Sequence, residues 1–116
     1  MHKIIITDDE PMNLRMTEFI LQKNGYDVVK TSSGEECLTA LADGADLVLL
    51  DVMMPGLNGF DTYELIRKQG YSVPVVFLTA AEDSCTLERT RQLGVEDIRK
   101  PFKPDTLLSV IGNYIK

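Results

Sequence analysis

Three aspartates, a threonine and a lysine are the residues of this 116-residue chain that could do chemistry together: Asp8, Asp9, Asp51, Thr79 and Lys100. Carboxylates gathered in one small site repel one another, which raises at least one pKa. A hard divalent cation relieves that repulsion, and carboxylate oxygens with water are the ligands Mg2+ favours. With such a cation held by the acids, one carboxylate can attack phosphorus in line. The cation, an ammonium and a hydroxyl then hold the oxygens of the transferred group. A carboxylate needs no general base to act as nucleophile. Other chemistries have less to work with. The single histidine is His2, beside the terminus, and there are two cysteines, Cys37 and Cys85, so histidine catalysis, zinc knuckles and a disulfide framework are disfavoured.

Each of these residues also has a plain structural use. Asp9 could cap a helix, Asp8 could close a turn, and Asp51 could begin the turn through Met53-Met54-Pro55-Gly56. Thr79 could bond its own backbone, and Lys100 could be a solvated charge. What makes them a set is where the elements place them.

Short apolar runs alternate with amphipathic stretches of helical length. The runs predicted as strands are Lys3–Thr7, Asp27–Lys30, Asp46–Leu50 and Val73–Leu78, with a weaker fifth around Val95–Arg99. Runs apolar throughout, such as Leu47-Val48-Leu49-Leu50, suit parallel strands covered on both faces. Five helices are predicted between and after them. The first opens at Pro11 and stops near Gly25, with Met12, Met16, Phe19 and Ile20 as its expected buried stripe. The second opens with a capping box of Ser33 and Glu36. The third runs from about Phe60 to Gly70. The fourth, from about Glu82 to Leu93, has no proper apolar stripe and is expected to be the least firmly docked. The last begins at Pro104 and presents Leu107, Leu108, Ile111 and Ile115. Five βα units with right-handed crossovers give an open, doubly wound α/β sheet in one domain over residues 1–116. Ligands bind such sheets beyond the carboxyl ends of the strands. Asp8-Asp9, Asp51, Thr79 and Lys100 all fall at those ends.

Twelve Lys+Arg against eighteen Asp+Glu give a formal charge of −6. That balance argues against direct nucleic-acid binding and against an anionic membrane surface. Nothing in the sequence reads as a targeting segment or a membrane span, so the expectation is a cytoplasmic protein without membrane insertion.

The segments Asp8-Asp9-Glu10-Pro11, Asp51-Val52-Met53-Met54-Pro55-Gly56 with Gly59, Leu78-Thr79-Ala80 and Lys100-Pro101-Phe102 resemble the receiver domain of two-component response regulators, over the whole chain. The resemblance implies the flavodoxin-like strand order 2-1-3-4-5 and a phosphorylation-dependent switch. Asp51 would be the phosphoacceptor. Asp8, Asp9, Asp51 and the backbone carbonyl of Met53 would hold Mg2+. Thr79 would contact the phosphoryl group and move with it, and Lys100 would pair with it. The Lys100–Pro101 peptide would be cis. The phosphoryl donor would be a sensor histidine kinase or histidine phosphotransfer protein. The effector or output domain would read the face made by the fourth helix, fifth strand and fifth helix. Such a chain catalyses its own phosphoryl transfer and slow autodephosphorylation, and is not a turnover enzyme on outside substrates. Met53 and Ala81, two past Asp51 and Thr79, carry no group that positions an attacking water.

The chain departs from the family in one place. Gly94-Val95-Glu96-Asp97-Ile98-Arg99-Lys100 is one residue short, and Asp97 stands three before the lysine where the family has an aromatic. A charge there is not expected to pack inward, so coupling to the output face is expected to be weak or differently routed. Two other classes remain open: a Mg2+-dependent aspartyl phosphohydrolase, which Met53 disfavours by standing where such enzymes carry a second acid, and a pseudo-receiver that acts only as an interaction module.

Overall fold

Runs of isoleucine, valine and leucine become strands wherever turn residues bound them, and amphipathic stretches between them become helices. The computed structural model describes residues 2–54, 56–80, 84–100 and 102–115. In chain order it has β1 (Lys3–Thr7), α1 (Pro11–Lys23), β2 (Asp27–Thr31), α2 (Gly34–Leu41), β3 (Leu47–Asp51), α3 (Gly59–Lys68), β4 (Val75–Ala80), α4 (Ser84–Leu93), β5 (Asp97–Lys100) and α5 (Pro104–Gly112). All pairings are parallel and the strand order is β2-β1-β3-β4-β5, as expected. The order reverses between β1 and β3, so the crevice of the sheet opens at their carboxyl ends.

Alternation along each strand divides the core in two. Ile4, Ile6, Leu47, Leu49, Val76, Leu78 and Ile98 face α1 and α5, where they meet Leu14, Leu21, Leu107 and Ile111. Ile5, Val48, Leu50, Val75 and Phe77 face the other side and meet Cys37, Leu41, Phe60 and Ile66. Both faces of β3 are therefore dry, which is why its sequence does not alternate.

Several boundaries shift for identifiable reasons. Pro74 lies just before β4 and not inside it, and its carbonyl accepts the N–H of Val48 at 2.9 Å. Asp46 lies before β3 and accepts the N–H of Lys3 at 2.7 Å. Ser33 does cap α2 by accepting from the N–H of Glu36, but the Glu36 carboxylate reaches back to the N–H of Ser32 at 2.7 Å, one residue earlier than a capping box requires.

The expected stripe of α1 is wrong except at Ile20. Met12, Met16 and Phe19 are 75%, 48% and 66% exposed, while Leu14, Thr17, Ile20 and Leu21 are buried. The helix carries two apolar stripes. Leu14, Thr17 and Leu21, spaced three and four apart, form the one against the sheet, and Thr17 contributes to it with a side chain that hydropathy discounts. Among the described side chains of α4, Thr90 is buried and Leu93 half-buried, whereas Glu88, Arg89, Arg91 and Gln92 are exposed. Arg89 ties this helix to α3, with a 3.2 Å ion pair to Glu64 and its guanidinium 5.1 Å from the centre of the Phe60 ring. The expected start of that helix at Glu82, the position Ala81 and the expected cis peptide at Pro101 lie outside the described residues.

Candidate functional site

Asp8 follows β1 directly, and its backbone is tied to the neighbouring strand: its N–H donates to the carbonyl of Thr31 at 3.1 Å. Below it, the buried hydroxyls of Thr7 and Thr31 lie 2.7 Å apart, and Thr31 Oγ1 donates to the carbonyl of Ile6. A hydroxyl has one proton, so with that of Thr31 committed, Thr7 donates to Thr31. These bonds fix the end of β1 against β2 and hold Asp8 at the crevice.

Asp51 closes β3. The N–H of the next residue, Val52, donates to the carbonyl of Leu78, and the N–H of Gly59 donates to the carbonyl of Val52. The start of α3 is thus drawn close under the acid. A β-carbon on Gly59 would lie 2.6 Å from the Asp51 carbonyl oxygen and 2.7 Å from the Val52 α-carbon, so only glycine lets the two segments approach this far.

Oxygens of Asp8, Asp9 and Asp51 lie within 4.8 Å of one another, with Asp8 and Asp51 buried and Asp9 exposed. Lys100, at the end of β5, reaches over the sheet edge and places Nζ 3.1 Å from Asp51 Oδ1 and 3.2 Å from Asp8 Oδ2. Asp51 Oδ1 also accepts the N–H of Met53 at 3.3 Å, and Asp8 Oδ1 accepts the N–H of Glu10 at 3.0 Å. Burial pushes the Asp51 carboxyl up to about 6; Lys100 pulls it down and Asp8 pushes it further up. Repulsion alone, the cause anticipated from sequence, is therefore the lesser influence. Burial would also lower the Lys100 ammonium, but Asp51 and Asp8 outweigh it and hold that group above its usual range.

This donor set suits a hard cation. Three carboxylates against one ammonium leave an excess of two negative charges when all are ionised, and one oxygen of each acid lies within 4.8 Å of the others. Met53 itself is exposed, two residues past Asp51.

Thr79 comes to the same edge but its hydroxyl does not join this cluster. The side chain is fully buried, and Oγ1 donates to Asp97 Oδ2 at 3.4 Å. The sheet register pairs Phe77 with Asp97 and Thr79 with Arg99, so Asp97 lies diagonally across the β4–β5 ladder from Thr79, on the Phe77 face. Asp97 is half-buried there. It is not packed inward as an aromatic ring would be, yet its carboxylate finds the buried Thr79 hydroxyl.

Comparison with known proteins gives a consistent answer. The family model for the response regulator receiver domain matches residues 4–112. The chain is 37% identical over 109 residues to the DNA-binding response regulator MtrA of Mycolicibacterium smegmatis, covering 92% of this chain and 47% of that protein. It is 32% identical over 116 residues to the response regulator SaeR of Staphylococcus aureus, covering 99% of this chain and 51% of that protein. The chain thus spans about half the length of the curated relatives it matches. Among solved structures, a response regulator receiver domain protein from Clostridium thermocellum superposes with a TM-score of 0.91 at 31% identity, over 99% of this chain and 94% of that one.

Proposed function

The chain belongs to the response regulator receiver domain family, the phosphorylation-dependent switches of two-component signalling, and from that membership we propose that Asp51 is its phosphoryl acceptor. The observation that carries this reading is the placement of a buried carboxylate at the end of β3, with Lys100 at 3.1 Å and the Asp8 and Asp9 carboxylates beside it. Lys100 and the N–H of Met53 both address Oδ1 of Asp51, so Oδ2 has the lone pairs to offer to phosphorus. In the transfer, the Asp51 oxygen forms a bond to phosphorus. The bond between phosphorus and the donor's imidazole nitrogen breaks, and the electron pair leaves with the imidazole.

Lys100 holds the acceptor carboxylate before the transfer and a phosphoryl oxygen after it. Thr79 stands on β4, next to β3, as a hydroxyl for another of those oxygens. Asp8, Asp9, Asp51 and the Met53 carbonyl would hold Mg2+. When bound, the cation neutralises charge on the acids and on the transferring group. The donor in this reading is a sensor histidine kinase or a histidine phosphotransfer protein, and the face of α4, β5 and α5 meets the effector or output domain. Residues 1–116 act as one receiver unit in the cytoplasm; no helix among the described residues is long and apolar enough to cross a membrane. The reaction is the chain's own modification and its slow reversal, without turnover of outside substrates.

Intact-mass measurement with acetyl phosphate and Mg2+ tests the acceptor. The wild type should gain one phosphoryl group that hydroxylamine removes, and Asp51→Asn should gain none. Equal labelling of both proteins would refute the assignment.

A further inference from the structure

Among the described residues, the only hydrogen-bond partner of the buried Thr79 hydroxyl is the carboxylate of Asp97, at 3.4 Å. A hydroxyl has one proton to give. If Thr79 donates to a phosphoryl oxygen on Asp51, it cannot at the same time donate to Asp97. We propose that Asp97 is a positioning residue for Thr79: its carboxylate holds the hydroxyl in the unphosphorylated chain and competes with the phosphoryl group for that proton. This rests on Asp51 being the acceptor, and adds a ground-state partner that sets how readily Thr79 is released.

Two features support competition over a merely structural bond. The contact is long for a hydroxyl donating to a carboxylate, so it holds the proton weakly enough to surrender it. The carboxylate also has somewhere to go. Asp97, Arg91 and Arg99 line one open groove of about 380 Å³ between the end of α4 and β5, with Gly94, Val95 and Glu96. No ion pair to an acid engages either arginine among the described residues. Once Thr79 turns away, the released carboxylate meets guanidinium groups at the rim, and the charge pattern of that groove changes with the state of Asp51. The signal then leaves the site as a charge set free beside α4, without an aromatic ring changing sides.

The test has two parts, both on the intact chain. In the ligand-free protein, three-bond carbon–carbon and carbon–nitrogen couplings to the Thr79 methyl carbon report its χ1 angle. One rotamer is expected in the wild type and in Asp97→Asn, which keeps an acceptor oxygen, and averaging between rotamers in Asp97→Ala. Couplings unchanged in Asp97→Ala would overturn the proposal. In the second part, fluoroberyllate affinity with Mg2+ is measured by titration. Asp97→Ala should bind this phosphoryl mimic about threefold to tenfold more tightly, the effect of one weak hydrogen bond, and the gain should vanish in a Thr79→Ala background. Wild-type affinity in Asp97→Ala, or a gain that persists without the Thr79 hydroxyl, would overturn it. A wild type that binds no fluoroberyllate would refute the acceptor assignment instead, and the couplings would still decide the Thr79–Asp97 contact.

Discussion

Gly59 lies so close to Asp51 that a single added methyl group would stand 2.6 Å from the Asp51 carbonyl oxygen. Both neighbours of that methyl are backbone, which cannot swing aside like a side chain. Gly59→Ala should therefore move α3, β3 or both. Overpacking of this kind costs about 1–3 kcal/mol, more than the roughly 1 kcal/mol a helix gains from Ala over Gly. The expected result is a lower melting temperature together with slower labelling of Asp51. Gly112, in the last turn of α5, has open space around it, so Gly112→Ala should leave labelling unchanged and melt at or slightly above the wild type. Similar behaviour of the two variants in thermal melts and labelling would show that the close approach is not what glycine serves at position 59.

Asp51 should make stability depend on pH in an unusual direction when no divalent cation is present. Its carboxyl stands at about 6 in the fold against 3.8 ordinarily, so between those values the folded chain holds a proton that the unfolded chain has released. Stability therefore falls as pH rises through that window, by on the order of 2–3 kcal/mol in total. Asp51→Asn removes the ionisation. In EDTA it should melt above the wild type at pH 7.5, and the gap should close as pH falls toward 4. A gap independent of pH would show that burial of the charge is not its origin.

Divalent cations should reverse that penalty. Mg2+ that binds the folded chain alone raises stability with concentration, by roughly 2.7 kcal/mol at 100 times its dissociation constant. Asp9→Ala should lose most of this response, because Asp9 is the exposed member of the triad and its loss leaves the core untouched. Calorimetric melts over a Mg2+ series decide the matter: a flat response in the wild type would mean the three acids are not a cation site.

Exchange of backbone amides should distinguish α4 from α3. Phe60, Thr62 and Ile66 bury one side of α3, whereas Thr90 is the buried residue among the described side chains of α4, and Arg89 holds that helix from the surface. Helices with little buried apolar surface open locally at low cost. The amides of α4 should exchange well before those of α3, and Arg89→Ala should speed α4 further while leaving α1 unchanged. Equal protection of the two helices would refute this ranking.

Much of this architecture was legible in the residues. Dry runs such as Leu47-Val48-Leu49-Leu50 have few alternatives to a central parallel strand, and strand ends are where Asp8, Asp9, Asp51, Thr79 and Lys100 had to fall. The side of α1 that faces inward was not legible, because Met12-Met16-Phe19 and Leu14-Thr17-Leu21 are both acceptable stripes and only docking against β1 and its neighbours chooses between them. The partner of Thr79 was hidden for a different reason. A diagonal contact across two strands depends on register, and register across β4–β5 cannot be counted without knowing which residue of the short fifth strand pairs with Phe77.

The four site-bearing strands are not equivalent. β1, β3 and β4 are each paired on both sides, while β5 is an edge, paired only with β4. An edge strand can part from its sheet by breaking one ladder, so its opening costs less than that of any interior strand. Lys100 and Asp97 both ride on this edge, whereas the three acids and Thr79 belong to the interior. The ammonium that pairs with Asp51 and the carboxylate that accepts from Thr79 therefore come and go together when this strand opens. A chain whose β5 has frayed still presents its acids to a cation, but it has lost both the partner of Asp51 and the partner of Thr79 in a single event.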